Sequence, residues 1–132
     1  MKIIKLGIIL GTLIMLSSCS KSLDYYEATS PKADIKEYFS GPIKAWGIVQ
    51  DWRGRVVNRF DIEMVGTWEG DVGTLTEKFT YYDGKKQERV WTITKRSDGS
   101  YEGTADDIID KATGRSAGSA VRWNYVMDLP VD

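Results

Sequence analysis

From Lys44 onward, apolar and polar side chains alternate with a period of two, the spacing that puts one set of side chains on each face of a β-strand. In "VVNRFDIEMV", Val56, Phe60, Ile62 and Met64 share a face, with Asn58 as its polar exception. Val57, Arg59, Asp61, Glu63 and Val65 take the other. "TLTEKFTYY" groups Leu75, Phe79 and Tyr81, with Glu77 among them, and "QERVWTITK" sets Trp91 and Ile93 against Val90, Thr92 and Thr94. "SAVRWNYVMDL" alternates Val121, Trp123, Tyr125 and Met127 with Arg122, Asn124 and Asp128. "AWGIVQD" runs into the turn "WRGR", while "DGKK" and "SDGS" are hairpin signals. "YEGTADDI" reads as a weak strand and "IDKATGRSAG" as a flexible loop. Five or six evenly spaced strands joined by tight turns predict a mainly β, antiparallel up-and-down meander. A meander of this size curls into a barrel or packs as a sandwich. No strand–helix–strand alternation points to a parallel sheet.

Ahead of the strands, Ser30 as cap and Pro31 in the first turn predict a short helix through "KADIKEYF". It would place Ile35, Tyr38 and Phe39 on one side and end at Gly41-Pro42. Residues 20 to 33 are polar and aperiodic and read as a tether, about 45 Å long if fully extended. Tyr25 and Tyr26 would dock on the domain or, as the alternative, sit near lipid headgroups.

The N-terminus follows different rules. Lys2 and Lys5 precede an uncharged apolar run from Leu6 to Leu16, and small residues follow. That order describes an export signal. The run falls short of the roughly 20 apolar residues that cross a bilayer. Leu16-Ser17-Ser18-Cys19 resembles the bacterial lipobox, which implies a diacylglyceryl thioether on Cys19 and cleavage before it. Ser20, not aspartate, follows the cysteine, which in that class favours the outer membrane. The expected organisation is a signal peptide over 1–18, a lipidated tether over 19–33 and a β domain over 34–132. Cys19 is the only cysteine, so an intrachain disulfide is excluded. Two or more acyl chains hold a protein stably at a membrane, where one holds marginally.

Charge then narrows the partners. The chain of 132 residues carries 18 basic and 19 acidic side chains; with Lys2 and Lys5 in the leader, the remainder has 16 against 19. This mildly acidic balance gives no footprint for nucleic acid. The chain has no histidine, and an acylated Cys19 cannot act as a nucleophile, so the usual nucleophile–base pairs are missing. No GxSxG, Walker loop or zinc spacing occurs. No catalytic residue, metal or cofactor is assigned.

The aromatic residues are the most distinctive chemistry: Trp46, Trp52, Trp68, Trp91 and Trp123, with Tyr81, Tyr82, Tyr101 and Tyr125. Inward rings either fill a core or line an apolar pocket. If a pocket exists, Phe60, Phe79, Trp91, Trp123 and Tyr125 are its expected ligand-binding residues. Glu77, on an apolar face, needs a cation, with Arg59, Arg89 and Arg122 as candidates. Asp106, Asp107 and Asp110 in "ADDIID" lack the spacing of a calcium loop and read as solvated. Glu69-Gly70-Asp71 reads as a turn.

"GPIKAWGIVQDWRGRVVNRFDIEMVGTW", "LTEKFTYYDGKKQERVWTI" and "YEGTADDIIDKATGRSAGSAVRWNYVMDLP", together with the lipobox, resemble a family of bacterial lipoproteins catalogued as domain of unknown function 3833. The resemblance implies a Gram-negative envelope lipoprotein with a lipocalin-like antiparallel barrel and no established activity. It further implies genomic neighbours that modify fatty acids, and additional strands after "LPVD". A chain ending at Asp132 would then leave the barrel incomplete, with an unpaired edge beside the last strand. The expected protein is lipid-anchored at the outer membrane, faces the periplasm, and binds an apolar or amphiphilic small molecule such as a fatty acid or lipid. The alternatives are a non-enzymatic interaction module, docking on an envelope protein through an open sheet edge, and an accessory enzyme of lipid modification.

Overall fold

The computed structural model describes residues 21–128. Cys19, the expected lipidation site, and residues 1–18, the expected signal peptide, lie outside the described residues. One antiparallel sheet holds seven strands in chain order: β1 (Gly41–Gln50), β2 (Val56–Glu69), β3 (Val72–Tyr81), β4 (Lys86–Lys95), β5 (Tyr101–Thr104), β6 (Ile108–Ala117) and β7 (Ala120–Met127). Each strand pairs with its chain neighbour. The sheet curls into a half-barrel, consistent with an incomplete lipocalin-like barrel, and β1 and β7 are its edges.

The turns explain the meander. At 51–55, 81–85 and 96–100 the same three-residue loop recurs, with a glycine at positive φ (Gly54, Gly84, Gly99) closing a backbone bond to the residue three before it. In each, an aspartate side chain accepts a backbone N–H two residues on: Asp51 from Arg53, Asp83 from Lys85, and Asp98 from Ser100. Glu69-Gly70-Asp71 is a tight turn, with φ 58° at Gly70.

Three sequence expectations are corrected. "IDKATGRSAG" is not a loop but most of β6. Past Ile108, its inward positions are the buried Ala112 and Gly114, so this part of the strand carries no large inward apolar side chain to announce it. The helix does not begin at Ser30-Pro31. Asp34, in extended conformation, accepts the Glu37 N–H at 3.0 Å and so caps a single turn, α1 (Ile35–Tyr38). Ile35 is buried and Phe39 packs on the core, but Tyr38 is exposed. The segment read as a tether is folded from Leu23 on: a 3-10 turn (Leu23–Tyr26) buries Leu23 and contacts β6 and β7. Thr29 bonds Ser119, and the Ala33 N–H donates to the Gly118 carbonyl. Tyr25 remains exposed.

The core lies on the concave face, where Met64, Leu75, Trp91, Ile93, Tyr101, Ile108 and Ala112 close around Ile35. Tyr101, 1% exposed, fastens α1 there. Its hydroxyl donates to Asp34 (3.1 Å) and accepts from the Lys36 N–H (3.2 Å). Lys95 Nζ reaches Asp34 at 3.0 Å, and Trp68 Nε1 donates to the Phe39 carbonyl at 3.0 Å. Gly66 lets this carbonyl approach; a Cβ there would sit 1.7 Å from it. One short helix therefore plugs one end of the half-barrel, and the rest of the concave face is left to side chains of the sheet.

Candidate functional site

Below α1 the concave face encloses a cleft of about 170 Å³. Ile35 and Phe39 form its roof, Leu75, Trp91 and Ile93 its floor, and Val121, Trp123 and Tyr125 of β7 its open side. Trp91 meets Trp123 edge to face at 5.7 Å and Tyr125 at 5.5 Å, the geometry that suits aromatic quadrupoles. Trp123 is held against the sheet because Gly103 and Gly114 offer it bare backbone. A Cβ on Gly114 would stand 2.2 Å from its ring, and one on Gly103 2.5 Å. The small inward residues of β6 and the large ring of β7 are thus one packing unit. A cavity of this volume is comparable to the engineered protein cavities of about 150 Å³ that admit benzene, so it has room for a segment of an apolar chain.

One wall of the cleft is charged. Glu77 and Arg89 are direct register partners on β3 and β4. Arg89, with an 8% exposed side chain, gives Nη1 to Glu77 Oε2 at 3.3 Å. It also grips Asp107 with two nitrogens, Nε to Oδ1 at 2.9 Å and Nη2 to Oδ2 at 2.7 Å. Trp91 Nε1 donates to the same Glu77 Oε2 at 3.3 Å. Burial pushes the Glu77 carboxyl above the usual carboxylate range, against the opposing pull of Arg89 and Trp91. Asp107 is held below that range by its hydrogen bonds from Arg89. The cluster therefore contains one firmly ionised pair, Arg89 and Asp107, and one carboxyl whose proton is retained to higher pH.

Of the residues expected to bind a ligand, Trp91, Trp123 and Tyr125 come together at the cleft. Phe60 and Phe79 do not line it. They cluster with Tyr81 farther along the concave face, where Phe60 lies tilted against Phe79 at 5.6 Å and against Tyr81 at 5.5 Å. The Arg89 guanidinium lies 5.2 Å over the Phe79 ring and divides the two aromatic groups. Cys19, the expected lipidation site, lies outside the described residues. Asp106, Asp107 and Asp110 do not converge: Asp107 turns in to Arg89, and the others are exposed. Among the described residues no set of His, Cys, Asp or Glu is placed to hold a metal ion.

A larger groove, about 660 Å³, runs beside Leu23, but its charged lining is mostly exposed, as at Arg96, Arg115 and Arg122. Its charged groups are solvated, whereas the smaller concave cleft has the buried Arg89 and an aromatic lining, so the cleft is the better site.

The partner of Asp107 is not legible in the sequence, because no periodicity could supply one. Residues 105–107 leave the strand, and a turn residue has no assigned face. Ile35 and Phe39 were legible as one side of a helix, though not as the roof of a site.

No curated protein and no solved structure is significantly similar to this chain. One family model does match, over residues 13–132. The half-barrel, its aromatic cleft and the Glu77–Arg89–Asp107 cluster around the buried Arg89 are therefore features of a chain that belongs to DUF3833, a family described as protein of unknown function.

Proposed function

We propose that this protein is a lipid-anchored lipoprotein of the Gram-negative outer membrane. Cys19 carries the acyl anchor, and the half-barrel, facing the periplasm, binds an apolar or amphiphilic small molecule such as a fatty acid or lipid. The observation that carries the binding role is the cleft itself: an aromatic concavity left open by the curl, with a charged cluster built on the buried Arg89 on one wall. A core meant only for stability would be closed by side chains at interior density. The apolar end of a ligand would lie against Trp91 and Trp123, and its polar end near Glu77. The anchor rests on the lipobox alone.

Tryptophan emission tests the pocket. Titrating the mature protein with a long-chain amphiphile below its micelle concentration is expected to change the emission of Trp91 and Trp123 saturably. Trp123→Ala, which removes the ring on the open side, should weaken the apparent affinity about tenfold or more, roughly 1.4 kcal/mol. An emission that never responds, or an unchanged affinity in Trp123→Ala, would remove this cleft as the site.

A second reading is favoured by the β1–β2 hairpin, which exposes Trp46 (72%) and Trp52 (86%) at a sheet edge. Unpaired edges template pairing with another chain. In that reading the domain docks on an envelope protein along β1, and an unresponsive cleft with a protein crosslinked at Trp46 would favour it.

A further inference from the structure

We propose that the cleft takes an amphiphile whose head group donates a hydrogen bond, a hydroxyl or an ammonium, and turns away a carboxylate. This inference rests on the binding role proposed above and narrows its ligand class: among the amphiphiles named there, an ionised fatty acid is turned away and only its neutral acid form is admitted. The acceptor is Glu77. Its Oε2 already receives Arg89 Nη1 and Trp91 Nε1, both at 3.3 Å. Its Oε1 receives no hydrogen bond from the described residues. Yet no fully buried side-chain nitrogen or oxygen among them lacks a partner, so Oε1 is not sealed off, and Glu77 is one of the residues that line the cleft. An O–H or N–H arriving there would make a charge-assisted bond, roughly twice as strong as a neutral one.

The cation of the cleft is already committed. Arg89 is the one cationic side chain lining it among the described residues. Nε and Nη2 are directed to Asp107 and Nη1 to Glu77. With both carboxylates ionised the cluster carries a net charge of −1. The other elements around Glu77 add none to offset it: Met64 faces it from β2, Ile35 and Phe39 from α1, Trp123 and Tyr125 from β7. A carboxylate head would meet a like charge in a poorly solvated site with no uncommitted cation, and repulsion there is screened far less than in water. An ammonium would neutralise the cluster, and a hydroxyl would satisfy Oε1 without adding charge.

Acidification should relax this filter. Burial makes Glu77 retain its proton to higher pH than an ordinary glutamate. Once protonated, Glu77 leaves a neutral cluster in which a carboxylic acid can share hydrogen bonds.

The test uses the mature chain and probes of one chain length: dodecanol, dodecylamine and dodecanoate, each below its micelle concentration, read by tryptophan emission at neutral and mildly acidic pH. At neutral pH the alcohol and the amine are expected to bind about tenfold or more tighter than the carboxylate. The gap should narrow in acid, and Glu77→Gln should abolish it. Dodecanoate binding as tightly as dodecylamine at neutral pH would overturn the inference. So would discrimination that persists in Glu77→Gln. Should that variant fail to fold, the pH series on the unaltered chain decides alone. No response to any probe would overturn the binding role as well, whereas a preference for the carboxylate would leave the binding role standing.

Discussion

Trp91→Ala is expected to destabilise the domain by about 3–5 kcal/mol, the range for removing a large aromatic from a packed core. Trp91 is 4% exposed and central to the concave cluster. Its ring is the surface against which both Trp123 and Tyr125 pack edge to face. The cavity left behind opens onto the existing cleft, so neighbours cannot collapse to fill it without unseating β7. Glu77 Oε2 would also lose the Trp91 N–H. A domain of this size has about 5–15 kcal/mol in total, so the variant should unfold at a much lower urea midpoint. Trp91→Phe keeps most of the ring and loses the donor; its cost should be about 1–2 kcal/mol. If Trp91→Ala shifts the urea midpoint by the equivalent of less than about 1 kcal/mol, the concave face is not where stability resides.

Arg89→Met should cost about 3 kcal/mol at neutral pH, the lower end of the range for breaking a buried ion pair from one side. The lower end applies because the Asp107 side chain is 27% exposed and can recover water, whereas that of Glu77 is only 12% exposed. The pH dependence carries the signature. In the native protein Glu77 has a raised pKa, so its ionisation weakens the fold as pH climbs above the ordinary glutamate range. Asp107 has a lowered pKa; its contribution is present above the ordinary aspartate range and is lost as pH falls through its folded value. Removing Arg89 abolishes the Asp107 contribution and raises the penalty on Glu77. The deficit of Arg89→Met should therefore be largest near neutrality and shrink in acid, as both carboxyls take up protons. Unfolding curves across pH read this directly, and a deficit that grew on acidification would contradict the assignment. Replacing Glu77 and Asp107 by leucine in the same variant should recover most of the loss.

Much of this architecture is legible in the chain because large side chains mark the inward positions. β2, β3, β4 and β7 carry Met64, Leu75, Phe79, Trp91, Ile93 and Trp123 at alternate positions, and the turns between the earlier strands announce themselves through Asp and Gly. β6 escapes because its inward face is built from what is missing: Gly114 is small so that Trp123 can lie on it. The strand is encoded by the size of a ring on its neighbour, and a local pattern cannot report that. The single turn of α1 is hidden by a contest between caps, which Asp34 wins through its bonds to Glu37, Lys95 and Tyr101.

The site divides along the same line. Glu77 on an apolar face signals a buried carboxylate in need of a cation, and Arg89 shares the inward face with Trp91. Alternation tells which side chains face inward but not which of them meet. Phe60 and Phe79 share that face with Trp91 and Trp123, and only the position of Arg89 separates them. Asp107 acts from a turn, where no period applies.

The most direct test of the central claim is mass spectrometry of the mature protein purified from a Gram-negative envelope, recorded under denaturing and then native conditions. The denaturing mass should show Cys19 acylated at a cleaved N-terminus. The native mass should show a further noncovalent species of lipid size, released by organic extraction and absent from Trp123→Ala. An unacylated chain would contradict the anchor. A native mass equal to the denatured one, even after incubation with dodecanol and dodecylamine, would contradict the binding role.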